Sequence, residues 1–348
     1  MSSIHIFLYI IFSLCYCYFF SSKIPKGIPR LISLLPIIYF FTILPLYFSS
    51  AFLIGLTTFF ITWLANFKLL LFAFNQGPLS SLTKNNLTIK NLPIFIFMAS
   101  LPLRSKQNNM EKKQIKKIPL NLGVEFVLFA IILELTFHYK SQIHPILILI
   151  CYSLLIFLVV DILVALSSFI VKNIMVGLDL ELELPSNEPY LSTSLQDFWG
   201  HRWNLTVTNI LRLTVYDPMT SALCHVVGKE WARRVAMLAT FVVSGLMHEL
   251  LFYYVNGVRP SWEMTGFFVL HGLCVMGEIG VKKGLKDTWQ LPGFVSGPLT
   301  VGFVVVTAFG LFFPPIIRNG ADERVLEEVG FCFDLFKDKM LQFVEYFG

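Results

Sequence analysis

The sequence predicts an all-α, polytopic membrane protein of about eight transmembrane helices. Three observations predict it. The 348 residues are 55% hydrophobic and 14% charged, whereas soluble domains carry roughly 25% charged residues. Apolar runs close to the roughly 20 residues that cross a bilayer recur from one end of the chain to the other. Threaded in order, those runs leave the basic connections on one side. Mean hydropathy is +0.69, and a single soluble core of this length could not enclose so much apolar surface. Phe alone supplies 35 residues, a side chain suited to lipid and to the walls of a tunnel.

The candidate spans are 4–21, 31–49, 51–74, 122–138, 145–171, 235–255, 264–281 and 293–317. The first lacks the basic segment that precedes a signal peptide, because Lys23, Lys26 and Arg30 follow it. It is expected to be a retained helix. The run 145–171 is long enough to require tilt. If the loop of Lys23, Lys26 and Arg30 is cytoplasmic, the connection 75–120 is cytoplasmic too, with Lys84, Lys90, Arg104, Lys106, Lys112, Lys113, Lys116 and Lys117. So are 172–234 and Lys282-Lys283, while the opposite side receives little beyond Lys140, Arg259 and the tail. Both termini then face the lumen.

Two connections are more than loops. Within 75–120 the apolar stretch 92–103 is too short to span and is expected to be interfacial or re-entrant. Within 172–234 the run Asp179-Leu-Glu-Leu-Glu-Leu-Pro185 alternates acid and Leu, which suits a short strand or a loop. The tail 321–348 mixes apolar and charged residues as an amphipathic surface helix does. No internal repeat divides the chain, so one integral membrane domain over 1–348 is expected. The six cysteines show no zinc-ligand spacing and read as inert thiols. Basic residues clustered between apolar runs suit lipid headgroups rather than nucleic acid.

Two segments carry candidate chemistry. The first is Ser194-Leu-Gln-Asp-Phe-Trp-Gly-His-Arg-Trp-Asn204. Read as a helix, it sets Asp197, His201 and Asn204 on one face, flanked by Phe198, Trp199 and Trp203. An interfacial helix with an aromatic belt has the same pattern. The second is Ser244-Gly-Leu-Met-His248-Glu249, polar residues inside an apolar helix. Such groups are costly at membrane depth and face a cavity or a partner. His-Glu-x-x-His is absent because position 252 is Phe, so a zinc protease is not indicated. Gly-x-Ser-x-Gly is absent as well. A neutral imidazole, with an ordinary pKa near 6.5, can take a proton from a hydroxyl at pH 7. His271, inside the seventh run, either lines the same cavity or packs. Asn86-Leu-Thr and Asn204-Leu-Thr match the glycosylation pattern but fall on the expected cytoplasmic side.

The two central motifs, with Thr214-Val-Tyr216 between them and Thr62-Trp-Leu-Ala-Asn-Phe-Lys-Leu-Leu-Leu-Phe-Ala73 and Gly77-Pro-Leu-Ser80 upstream, resemble the plant wax ester synthases and their acyl-CoA:sterol acyltransferase relatives. These belong to the membrane-bound O-acyltransferase superfamily. The resemblance implies a catalytic chamber enclosed by the helices, with His248 as general base and Asn204 orienting the donor or substrate. Asp197, Phe198, Trp199, His201, Trp203 and Glu249 would support them. It implies acyl-CoA as cosubstrate with no bound cofactor or metal, and a fatty alcohol or a sterol from the membrane lipid as acceptor. The endoplasmic reticulum is the implied membrane. A lipid or proton-coupled transporter using His248-Glu249 as a relay is the alternative of another class, against which stands the lack of paired halves. A helix starting at Trp231 would put His248 roughly 26 Å along its axis. The helix then starts later, breaks near Ser244-Gly245, or borders a deep cavity.

Overall fold

The computed structural model describes residues 3–84, 89–105, 122–174, 180–182, 186–285 and 291–347. Eight helical segments are long and apolar enough to cross a membrane, each overlapping a predicted span. The chain is an integral membrane protein. The first two spans are α1 (Ser3–Phe19) and α2 (Ile28–Ile43). The third, Ala51–Ala73, joins α3 (Ala51–Thr57), a π-helical stretch Thr58–Ala65 and α4 (Asn66–Ala73). Short helices α5 (Gly77–Lys84) and α6 (Leu92–Ser100) follow, then β1 (Leu103–Ser105). α7 (Leu122–Tyr139) and α8 (Pro145–Ile174) form the fourth and fifth spans. β2 (Leu180–Leu182) pairs antiparallel with β1, Leu103 opposite Leu182. This small ribbon is the only sheet among the described residues of a helical protein. The rest of the 179–185 run, the basic run 106–117 and Asn86 lie outside the described residues.

Several polar residues of the amino-terminal spans find partners in neighbouring segments. Arg30, read from the sequence as a loop charge, is buried instead. Its guanidinium donates to the carbonyls of Ile24 (3.0 and 2.8 Å), Phe72 (3.1 Å) and Ser22 (3.3 Å). Those carbonyls lie at the ends of helices or turns, so a cation there answers their partial charge. Thr62 donates to Phe41 O (2.7 Å) and Asn66 to Thr42 Oγ1 (3.1 Å), bolting the third span to α2. The Lys68 ammonium donates to Met98 O (2.7 Å) and Leu101 O (2.5 Å) at the end of α6. Most of the 92–103 stretch is thus a short helix, Leu92–Ser100, packed inside the protein, with Phe95 and Met98 fully buried.

The carboxy-terminal half begins with α9 (Leu195–Asp197), a π-turn Phe198–Arg202, and α10 (Leu205–Leu211), which runs through a second π-turn Arg212–Tyr216 into α11 (Asp217–Val227). α12 (Lys229–Asn256) and α13 (Glu263–Gly284) then form an antiparallel pair. The last span bends: α14 (Gly293–Thr307), a π-turn Ala308–Phe312, and α15 (Pro314–Arg318). α16 (Ala321–Phe347) is the expected tail helix.

Small residues let α12 and α13 approach, as in other membrane helix pairs. A Cβ on Gly245 would lie 2.8 Å from Thr265 Cα, and one on Gly272 3.0 Å from the Phe241 ring. Gly245→Ala must therefore push two backbones apart, an overpacking cost of about 1–3 kcal/mol. A lowered thermal midpoint in detergent is expected. Gly266→Ala, where a Cβ meets nothing within 4 Å, should leave the midpoint unchanged.

α16 is clasped to the start of the third span. Glu328 accepts hydrogen bonds from Ser50 Oγ (2.7 Å), Ala51 N–H (2.8 Å) and Phe52 N–H (2.9 Å). Partial burial opposes its charge, but these donors, with the nearby Arg324 cation, outweigh it and hold the carboxyl below the usual carboxylate range. A depressed folded-state pKa stabilises the clasp above the ordinary carboxylate pKa, and that contribution is lost as pH falls through the folded value. Protection of the α16 amides, corrected for the intrinsic exchange rate, should therefore fall on acidification, and Glu328→Gln should show the lower protection already at pH 7.

Candidate active site

α12 carries His248 to the middle of the structure. The helix runs unbroken from Lys229, which puts His248 roughly 28 Å from its start and roughly 12 Å from its end at Asn256. Of the three ways to accommodate that depth, the structure has the deep cavity. A space of about 990 Å³ runs beside the helix and is lined from Met237 to Val255, roughly 27 Å along the axis. Its walls are overwhelmingly apolar, with side chains such as Leu155, Leu163, Val207, Val304 and Phe313. That volume lies at the upper end of ordinary ligand pockets.

His248 lines this cavity. Its Nδ1 lies 2.8 Å from the Ser244 carbonyl oxygen one turn back. A carbonyl only accepts, so Nδ1 carries the hydrogen and Nε2 holds a lone pair. The ring is packed among Phe268 (centroids 4.5 Å), Trp63 (5.4 Å) and Phe312 (5.6 Å). The Trp63 indole N–H has no hydrogen-bond partner.

Asn204 lines the same cavity, but not from the continuous helix that its spacing predicted. The helical backbone stops after Arg202, Trp203 is extended, and Asn204 takes φ +41° and ψ +63° as the N-cap of α10. Asn tolerates this left-handed conformation better than most side chains. Its Oδ1 accepts from Val207 N–H at 3.3 Å, so Nδ2 is the group the amide can offer elsewhere. A base with a free lone pair, an amide donor and an apolar enclosure now stand on one surface. Residues 184–270, which hold both side chains, match the family described as "Membrane bound O-acyl transferase family". Over 334 residues the chain is 43% identical to "Probable long-chain-alcohol O-fatty-acyltransferase 3" of Arabidopsis thaliana, covering 95% of this chain and 94% of the relative. It is 42% identical to "Long-chain-alcohol O-fatty-acyltransferase" of Simmondsia chinensis, covering 94% and 93%. It is 41% identical to "Acyl-CoA--sterol O-acyltransferase 1" of Arabidopsis thaliana, covering 92% and 91%. The chain belongs to the membrane-bound O-acyltransferase family.

The other residues singled out from the sequence divide into two groups. Phe198, Trp199, His201 and Trp203 line the cavity with Asn204. Phe198 and Trp203 stack at 5.8 Å, bracketing the π-turn. Asp197 and Glu249 lie outside the lining. Asp197 Oδ2 accepts from Arg202 Nε at 2.6 Å and from Thr193 N–H at 3.3 Å. Arg202 in turn donates to the carbonyls of Asn187 and Glu188, so Asp197 ties the turn to the preceding loop. Glu249 is buried, and its Oε1 accepts from Thr265 N–H at 3.1 Å. That amide is one of the unpaired donors at the start of α13, the helix that presents Phe268 to His248. The two residues of the His248-Glu249 pair thus face different ways.

Several residues at the site carried no distinguishing signal. Trp63, Phe268 and Phe312 around the imidazole are three aromatics in a chain full of them. Glu278 was detectable as an acid within an apolar run. Its Oε2 accepts from Leu195 N–H (2.9 Å) and Gln196 N–H (3.3 Å), holding α9 against α13. His271 proves to pack rather than to line the cavity. It is fully buried and bonded on both ring nitrogens.

Proposed function

We propose that this protein transfers a fatty acyl group from acyl-CoA to the hydroxyl of a long-chain alcohol, forming a wax ester, with His248 as general base. The observation that carries this reading is the imidazole tautomer: Nδ1–H is spent on Ser244 O, and Nε2 is left basic within an apolar enclosure. In the proposed reaction Nε2 takes the alcohol proton as the alcohol oxygen adds to the thioester carbonyl. The C–S bond of the tetrahedral adduct then breaks, and the CoA sulfur receives the proton back. Ester and free CoA are the products, and no acyl-enzyme is formed. Asn204 Nδ2 donates to the carbonyl oxygen as negative charge develops there. The apolar walls hold the acyl chain, each buried methylene contributing about 0.8 kcal/mol.

Acyl-CoA enters from the end of the cavity bordered by Gln196, His201 and Arg212, which the loop charges assign to the cytoplasm. The alcohol arrives from the surrounding lipid. The membrane is that of the endoplasmic reticulum, and the whole chain acts as one acyltransferase domain. A sterol acceptor is the second reading, favoured by the 41% identity to an acyl-CoA–sterol acyltransferase over 92% of this chain. Membranes containing the protein, supplied with labelled acyl-CoA and either a long-chain alcohol or a sterol, separate the two by product chromatography. Wax ester is expected to dominate. Sterol ester alone would transfer the reading to the second acceptor, and neither product would end both.

A further inference from the structure

Trp199 is a cavity wall whose indole is hydrogen-bonded to a residue outside the lining. Its indole Nε1–H donates to His271 Nδ1 at 3.0 Å. Nδ1 accepts, so Nε2 carries the hydrogen and donates to Thr307 Oγ1 at 2.9 Å. The Thr307 hydroxyl donates onward to Phe303 O at 2.7 Å. At its other end, the Trp199 carbonyl accepts from Thr208 Oγ1 at 3.2 Å. The ring is also enclosed by Phe241 (5.7 Å), Phe268 (5.7 Å) and Phe267 (6.2 Å). Phe268 is the residue packed 4.5 Å from the His248 ring.

Two physical consequences follow. An unpaired indole N–H facing an apolar tunnel would be a costly buried donor, and His271 removes it, so the indole offers an acyl chain only carbon. The imidazole is also fully satisfied on both nitrogens, which fixes its tautomer and its plane. The chain Thr307–His271–Trp199 therefore sets one wall of the cavity one residue removed from the proposed base. Because His271 lies behind that wall, it has no access to substrate.

We propose that His271 is a positioning residue: through the Trp199 indole it fixes the shape of the acyl channel beside His248, and so sets acyl-chain preference as well as rate. The proposal rests on the acyltransferase reading. His271→Leu keeps the bulk and removes the acceptor. It should lower kcat about fivefold to tenfold, the size of one net hydrogen bond, and change KM for acyl-CoA less. It should also shift the ratio of rates among acyl chain lengths, a ratio that a smaller folded fraction cannot alter. His271→Asn, whose Oδ1 can stand where Nδ1 stood, should restore most of the rate and the original preference. In a Trp199→Phe background, already slower, His271→Leu should add little further loss. Additive losses, or an unchanged chain preference in His271→Leu, would overturn the proposal. If His271→Leu fails to fold, an unaltered rate and preference in Trp199→Phe, which cannot donate to His271, would overturn it equally. Nitrogen-labelled tryptophan spectra read the bond without turnover. The indole resonance that Trp199→Phe deletes should shift in His271→Leu and stay near its place in His271→Asn. An unshifted resonance refutes the positioning bond alone, whereas a wild-type protein that makes no ester refutes the acyltransferase reading alone.

Discussion

His248→Ala should leave a full-length, membrane-inserted protein that forms ester at roughly one-hundredth to one ten-thousandth of the wild-type rate, the usual range for removing a general base. The Nδ1–H of His248 is bonded to a backbone carbonyl of its own helix, so the ring contributes little to joining α12 to its neighbours beyond its aromatic contacts. Truncation enlarges an existing cavity rather than creating an isolated void, which limits the cost in stability. His248→Gln fills more of the space and can still donate to Ser244 O, but has no basic nitrogen. It should be as inactive as the alanine variant and closer to wild type in thermal midpoint. Ester formation by radiolabelled product and the midpoint in the same detergent check both statements. Retained turnover in either variant would remove His248 from the chemistry.

The second large effect is expected at Asn204, where conformation and chemistry can be separated. Asn204→Ala loses three things together: tolerance for a positive φ, the cap on Val207 N–H and the Nδ2 donor. The first costs about 1–2 kcal/mol and the second about 1 kcal/mol, so a fall in activity there is ambiguous. Asn204→Asp keeps the left-handed tolerance and an oxygen for the cap, and puts a carboxylate where the amide donor stood. It should fold like wild type and lose about a hundredfold to a thousandfold in kcat, the cost of one oxyanion donor. Asn204→Gly keeps the backbone and loses both side-chain groups, so its rate should be no higher than that of the aspartate variant. Wild-type kcat in Asn204→Asp would reduce Asn204 to a helix cap.

The spans were legible because the bilayer imposes a length and a polarity on every crossing helix. Their interiors were less so. The π-helical stretch Thr58–Ala65 and the π-turn Ala308–Phe312 shift the register of side chains without changing hydropathy. The start of α12 came six residues earlier than the apolar run suggested, because Lys229, Glu230, Arg233 and Arg234 continue the helix outside the apolar region. At the site, Asp197, His201 and Asn204 have helical spacing, and nothing in that spacing reveals the left-handed residue that ends the run. Asn at that position was the one available hint. His248 and Glu249 adjoin in sequence, yet adjacent helical residues point about 100° apart, so only one could face the cavity. That inference was open from the sequence. The partners that fix each polar group, Ser244 O for His248, Thr265 N–H for Glu249 and His271 for Trp199, involve backbone atoms or distant residues and become visible only in three dimensions.

The acceptor hydroxyl is expected to meet the free Nε2 of His248 inside the apolar cavity. A structure of the protein in a lipid nanodisc with a long-chain alcohol and a non-transferable acyl-CoA analogue tests this most directly. The alcohol oxygen should lie about 2.6–3.2 Å from Nε2, with the analogue's carbonyl oxygen near Asn204 Nδ2 and its chain along the Trp199 wall. An alcohol bound elsewhere, or an imidazole turned so that Nε2 is occupied by protein, would contradict the account.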